Sequence, residues 1–306
     1  MSDLICPLCR SIKVTPILDL GNMPLVNSMD DTKNKYTLNL YLCSDCDLVF
    51  VNTPKTAGHI YSNYTYFSSW SDSWLKHCKS LFQSLLKSNY ITNNSSVLEI
   101  ASNDGYMLRN FKDAGFNDII GVEPAVNIAA AANKSGISTI NAFFTTETAL
   151  KLKEKGERDC IIALNVLAHV PDINDFINGI KVILAPGGVV VLEFHHLLSL
   201  LKLQQYDTIY HEHFSYLSLR TVVNAFKNIN LRVFDAEKIS TQGGSLRILV
   251  SHNNQLSVKK FPLQNNVNSI IDEESALGIS SVSILKSFAD SVYKNIRKAR
   301  DYLTKL

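Results

Sequence analysis

Between residues 96 and 195 the chain alternates short apolar runs with stretches whose apolar residues recur at helical spacing. "SVLEIAS", "DIIGVEP", "STINAFF", "RDCIIALNVLAHV" and "VVVLEF" read as five strands. "GYMLRNFKDAG", "AVNIAAAANKSG", "TTETALKLKEKG" and "DINDFINGIKVILAPGG" read as the helices between them, the first two ended by Gly115 and Gly136 and the last by Pro-Gly-Gly. Strands and helices alternating at this interval predict a doubly wound parallel α/β sheet. Such a sheet takes its ligands beyond the C-terminal strand ends. Farther on, "TVVNAFKNINL" reads as a helix, and "RVFDAEKI" and "SLRILVSH" as an antiparallel pair that brings the sheet to seven strands. The "STQGG" between them is a turn in which Gly243 and Gly244 supply positive φ. Residues 256–306 read as a polar helical tail.

Upstream, "SWLKHCKSLFQSLLKSN" sets Leu75, Cys78, Leu81, Phe82, Leu85 and Leu86 on one helical face, with Ser73 as the N-cap. Before it comes "IYSNYTYFSSWSDSW", dense in aromatics and hydroxyls. Residues 1–56 form a different unit. Cys6 and Cys9 make one C-x-x-C, Cys43 and Cys46 a second, and 33 residues separate them. Each pair turns tightly enough for both thiolates to face one cation, and two pairs make the four sulfurs of a tetrahedral zinc site. Four sulfurs leave no open position, so the metal is expected to be structural. A unit this small needs such a staple.

Composition narrows the picture without changing it. The 306 residues are 46% apolar and 19% charged, with a net charge of +2. Nothing there attracts nucleic acid or an anionic membrane. "MSDLICPLCR" is no signal peptide, and the apolar runs are too short to span a bilayer. A cytoplasmic monomer is expected, with its six cysteines reduced or metal-bound.

The first strand-to-helix turn, "VLEIASNDGYML", lacks the G-x-G-x-x-G that a pyrophosphate wants. It keeps small residues, Ala101, Ser102 and Gly105, and adds Glu99 and Asp104. Negative charge there suits a cationic sulfonium better than a dinucleotide. Glu123 in "GVEP" is placed for a ribose diol, though a lone acid after a strand also serves as a helix cap. "LAPGG" before the fifth strand fits the same cofactor, S-adenosylmethionine. Its expected contacts are Glu99, Ala101, Ser102, Asn103, Asp104, Gly105, Glu123, Pro124, Asn141, Phe143 and Asn165.

The insertion after residue 200 holds "TIYHEHFSY", two histidines, a glutamate and two tyrosines in seven positions. Two metal ligands on one strand face and a structural hydrogen-bonded cluster are the plainer explanations of such a stretch. Four segments in order, "LEIASNDG", "NVLAHVPD", "YHEHFSYLS" and "TQGGSLR", behind a four-cysteine unit, resemble the nucleotide-sugar C-methyltransferases that act on 4-keto deoxysugars. The resemblance runs along nearly the whole chain. It implies a Rossmann-like class I methyltransferase sheet over residues 57–255 behind a small zinc-binding domain. It implies a nucleotide-linked 4-keto sugar as substrate and His213 as the base that removes the proton beside the ketone. Glu212 and His211 orient that ring, and Tyr210, His169 and Tyr64 donate to enolate or sugar oxygens. Tyr66, His211, Ser245 and Arg247 face the substrate. Two departures stand out. Ala101 sits where the family has glycine, which is tolerable where the backbone is ordinary. Family members also run on for roughly a hundred residues into a second Rossmann-like domain, so residues 256–306 are expected to lead to a domain missing here. The alternatives are an O- or N-methyltransferase of another small molecule and a non-catalytic zinc-bearing module.

Overall fold

The computed structural model describes residues 4–26, 34–52 and 65–305. Strands β1 (Val14–Met23), β2 (Tyr36–Cys43) and β3 (Val49–Val51) come first, then helix α1 (Asp72–Lys87). The doubly wound run follows as β4 (Val97–Ile100), α2 (Leu108–Asp113), β5 (Ile119–Glu123), α3 (Val126–Lys134), β6 (Thr139–Asn141), α4 (Thr146–Lys153), β7 (Arg158–Leu164), α5 (Ile173–Ile183) and β8 (Leu184–His195). After it come α6 (Leu197–Leu203), β9 (Ser215–Tyr216), α7 (Leu219–Asn228), β10 (Leu231–Ile239) and β11 (Ser245–His252). Helices α8 (Gln255–Lys260), α9 (Asn265–Leu277) and α10 (Val282–Leu303) close the chain.

The large sheet has the order β10-β11-β8-β7-β4-β5-β6. Strands β6, β5, β4, β7 and β8 are parallel, and β11 runs antiparallel between β8 and β10. The order reverses between β4 and β7, the point at which such sheets open a crevice. The predicted alternation therefore holds, with two local differences. The N-cap of α1 is Ser71, not Ser73, since its Oγ accepts from the Trp74 N–H. "LAPGG" is the start of β8 rather than a turn, because Pro186 stops α5 and the backbone goes straight into the sheet.

The second sheet has four strands, β1-β2-β3-β9. Its fourth member, β9, belongs to the "YHEHFSY" segment, and Val49 and Phe50 pair with Tyr216 and Ser215. The cysteine unit is thus no separate body. Cys6, Cys43, Leu48 and Phe50 share one core with β4, β7 and β8. The tail is not polar all round either. Leu285, Phe288, Ala289 and Val292 make a buried stripe on α10 that packs with Ile17 and Leu18 of β1, beside a bond from the Asp19 N–H to Tyr293 Oη at 3.0 Å. Among the described residues no helix is long and apolar enough to cross a membrane.

Candidate active site

A cavity of about 580 Å³ opens at the C-terminal ends of β4, β5, β7 and β8. Ala101, Asn103, Glu123, Pro124 and Asn165 line one part of it, and His169, Thr208, Tyr210 and His213 another. Tyr66, Ser68 and Trp74 line it as well.

The β4 turn bends sharply. Ala101, Asn103 and Gly105 have φ of 53°, 48° and 80°. The backbone at Ala101 is therefore not ordinary, and an alanine there carries a left-handed penalty that glycine would avoid. Ser102 turns down into the sheet, where a Cβ on Gly121 would strike its Oγ. Glu123 accepts from the Asn103 and Ala125 N–H groups, each at 2.9 Å. Two of its four lone-pair sites are used, which leaves capacity for a diol. Asn103 also ties down the aromatic segment, for its Oδ1 accepts from the Ser68 N–H and its Nδ2 donates to the Tyr66 carbonyl.

Glu99, Ser102, Asp104 and Gly105 lie behind this wall rather than in it. The Oγ of Ser102 and one oxygen of Asp104 are buried without a hydrogen-bond partner among the described residues, and the buried Glu99 carboxyl has the Leu108 N–H and the Tyr106 hydroxyl near it. Burial pushes the Glu99 carboxyl well above the usual range, and nearby Glu123 and Asp104 push it further. A cation in the cavity, such as the sulfonium of S-adenosylmethionine, would offset that upward shift. Asn141 and Phe143 do not line the cavity; Asn141 Nδ2 donates to the Glu123 and Pro124 carbonyls and braces that turn.

His213 Nδ1 lies 2.8 Å from the Thr208 carbonyl, and Nε2 lies 3.0 Å from the Tyr210 hydroxyl. A carbonyl only accepts, so Nδ1 carries the proton and Nε2 is the accepting nitrogen. Burial, and then the neighbouring His169, lower the His213 pKa to about 3. His169 stacks edge-on with its ring centroid 4.6 Å away. Its Nδ1 donates to the Glu212 carbonyl at 2.9 Å, and burial lowers its pKa to about 4. On the neutral His169 ring Nε2 is therefore an accepting nitrogen, not the donor expected from the sequence.

Other expected site residues fall elsewhere. Tyr64 lies outside the described residues. His211 is 1% exposed and faces away from the cavity, with Nε2 donating to the Tyr36 carbonyl of β2 at 3.1 Å. It clamps the motif onto the cysteine unit, and β9 does so from the other end. Glu212 does not line the cavity; its backbone carbonyl is what fixes His169. Arg247 and Ser245 are also absent from the lining. Arg247 Nε donates to the buried Glu193 at 2.7 Å, and Ser245 Oγ donates to the Thr241 carbonyl. Side chains pointing across a strand pair are set by register, which the sequence alone does not reveal. Trp74, Tyr106, His195, Asp207 and Gln242 line the cavity without having been singled out. Only His195 had a usable signal, its place directly at the end of a predicted parallel strand.

The four sulfurs of Cys6, Cys9, Cys43 and Cys46 all lie within 4.8 Å of one another. Their short edges, 3.6 Å for Cys6 to Cys46 and 3.4 Å for Cys9 to Cys43, are close to those of a tetrahedron. Metal–sulfur bonds of about 2.3 Å give edges of about 3.8 Å. A hydrogen bond from Cys46 draws the Cys6 thiol down to about 5, while burial pushes Cys9 up to about 11 and the bond to Cys6 pushes Cys46 up, so thiolate character is concentrated on Cys6. The donor set fits zinc.

Family models match in three consecutive stretches. Residues 6–61 match a zinc binding domain, residues 74–236 a methyltransferase domain, and residues 240–306 a C-methyltransferase C-terminal domain. The C-methyltransferase NovU of Streptomyces niveus is 30% identical over 291 residues, spanning 93% of this chain and 68% of that protein. Among solved structures, an S-adenosylmethionine-dependent methyltransferase from Clostridium acetobutylicum ATCC 824 is 12% identical with a TM-score of 0.46, covering 58% of this chain and 91% of that one. Magnesium protoporphyrin IX methyltransferase from Synechocystis PCC 6803, with bound SAH, is 14% identical with a TM-score of 0.46, covering 58% and 83%. With a methyltransferase model spanning more than half of its length and a C-methyltransferase aligned along nearly all of it, this chain belongs to the S-adenosylmethionine-dependent C-methyltransferases that carry an N-terminal zinc-binding domain.

Proposed function

We propose that the protein methylates the carbon beside the ketone of a nucleotide-linked 4-keto deoxysugar, with His213 Nε2 as the base. The observation that supports this most is the fixed tautomer of His213 in the same cavity as the cofactor turn. When bound, S-adenosylmethionine supplies an electrophilic methyl group on a cationic sulfur. Glu123 would hold its ribose, and Glu99 and Asp104 would balance its charge.

Carbon becomes nucleophilic only after losing a proton, and the ketone lets the resulting charge move onto oxygen. His213 receives that proton on Nε2. Its Nδ1–H stays on the Thr208 carbonyl, which keeps the accepting lone pair in place. The Tyr210 hydroxyl, now on Nε2, shifts to the enolate oxygen as the substrate enters. A histidine held at about pKa 3 is by itself a weak base. The enolate forming beside it changes that. Opposite charges about 4 Å apart, at an effective dielectric of about 20, attract by about 4 kcal/mol, or about three pKa units. The proton transfer then becomes feasible near neutral pH. Residues 1–56 hold the metal and carry the sheet that β9 joins, and residues 57–255 carry the cofactor turn and the base.

The test uses dTDP-4-keto-6-deoxy-D-glucose in deuterated water. Native enzyme should exchange the proton beside the ketone, and His213→Ala should lose both exchange and methylation. Methyl transfer without exchange by native enzyme would point to an oxygen or nitrogen acceptor instead.

A further inference from the structure

The cavity holds a third imidazole besides His169 and His213. His195 ends β8 and lines the cavity. Its Nε2 lies 2.9 Å from Gln205 Oε1. The orientation of that amide is itself fixed, because Gln205 Nε2 donates to the Gly243 carbonyl at 2.8 Å. A carbonyl only accepts, so the NH₂ faces Gly243 and the oxygen faces His195. That oxygen also only accepts, so His195 carries its proton on Nε2. Nδ1 is left as an acceptor with no hydrogen-bond partner among the described residues. Burial lowers the pKa of this ring below the ordinary histidine value, so it is neutral at pH 7.

The turn that supplies the fixing carbonyl is shaped for this contact. Gln242, Gly243 and Gly244 have φ of 53°, 77° and 112°. A Cβ on Gly243 would strike Gln205 Nε2, so the carbonyl reaches the amide only because that residue is glycine. Gln242 holds a left-handed conformation uncommon outside glycine and also lines the cavity.

We propose that His195 determines specificity by accepting, on Nδ1, a hydrogen bond from a hydroxyl of the bound sugar, and that Gln205 is the positioning residue that fixes the ring for it. The proposal rests on the sugar substrate proposed above. A partly buried acceptor built for a hydroxyl selects against the analogue that lacks it, because the acceptor is then left unpaired.

The test takes the zinc-loaded full chain with S-adenosylmethionine and three probes, dTDP-4-keto-6-deoxy-D-glucose and its 2-deoxy and 3-deoxy counterparts. Nitrogen-15 ring spectra of the protein without sugar should show His195 neutral and protonated on Nε2. Gln205→Leu should populate both tautomers. His195→Phe should raise KM for the hydroxylated probe about tenfold, with kcat changed less than about threefold. It should also abolish the preference over one deoxy counterpart. Should His195→Phe not fold, the same preference ratio in Gln205→Leu decides. A wild-type ring protonated on Nδ1, or an undiminished preference in the variant, overturns the proposal. Failure of the wild type to bind any of the three probes sinks the sugar substrate and the hydroxyl contact with it. The tautomer set by Gln205 stands or falls on the spectrum alone.

Discussion

Replacing Arg247 with methionine separates a structural arginine from a substrate-binding one. Arg247 on β11 and Glu193 on β8 are cross-strand partners. The guanidinium Nε lies 2.7 Å from a carboxylate whose side chain is 0% exposed. Without it, among the described residues Glu193 keeps only His77, whose Nε2 sits 3.0 and 2.8 Å from its two oxygens. Stripping one partner from a buried ion pair costs about 3–5 kcal/mol. The remaining histidine holds the effect near the lower end, about 3 kcal/mol. The second bond of Arg247, to Glu237, adds little, since that carboxylate is 60% exposed and water screens it. At about 2.1 cal/mol/K per residue, the unfolding entropy of a chain this long is about 640 cal/mol/K, so Tm should fall by about 5 °C. Circular dichroism melts of the zinc-loaded protein measure this, with KM for the sugar nucleotide followed alongside. Pairing Arg247→Met with Glu193→Leu removes both charges and should recover most of the loss. A Tm within about 1 °C of wild type refutes the structural role. If KM rose at the same time, the guanidinium would face the sugar, as the sequence first suggested.

Other consequences are as direct. His213 and His169 are held neutral by burial, at about 3 and about 4, whereas unfolded histidines titrate near 6.5. Between those values the unfolded chain binds more protons, so stability falls as pH drops from about 6.5 to about 4, by about 1.4 kcal/mol per pH unit for each ring. Urea melts of His213→Gln at pH 7, 6 and 5 should show a slope shallower by about that amount; an unchanged slope contradicts the burial. Ala101→Gly relieves a left-handed alanine and should stabilise by about 0.5–1 kcal/mol, less than the full strain because glycine loosens the unfolded chain. A lower Tm would show that the φ of 53° is not strained. His211→Leu removes the bond to the Tyr36 carbonyl and should cost about 1 kcal/mol with little change in KM; a rise in KM alone would return His211 to the substrate. Chelating the metal should speed hydrogen exchange at the Val51 amide, which donates to the Phe214 carbonyl across the β3–β9 seam. Unchanged exchange would uncouple the cysteine unit from the segment that carries Tyr210 and His213.

Much of the fold was legible because its signals are local. Alternating buried strands and amphipathic helices need only neighbours in the chain, and they gave the doubly wound sheet and the antiparallel β10–β11 pair. The C-x-x-C pairs were legible for the same reason, since each knuckle is closed by its own backbone. The roles of side chains within "YHEHFSY" were not. His211 and His213 are two residues apart, yet one bonds β2 of the cysteine unit and the other faces the cavity. Arg247 reads as a substrate-facing cation in the sequence, but its register on β11 sets it against Glu193.

By itself, then, the sequence determined the layers of the molecule, the cysteine cluster, the turn after β4 and the segment that lines the cavity with Tyr210 and His213. Only the tertiary structure decided that β9 belongs to the cysteine sheet, which protons the cavity imidazoles keep, and which polar residues are spent on ion pairs. Periodicity reports a residue's burial relative to its own element. Tautomer and partner depend on atoms brought in from distant parts of the chain, and no local pattern encodes those distances.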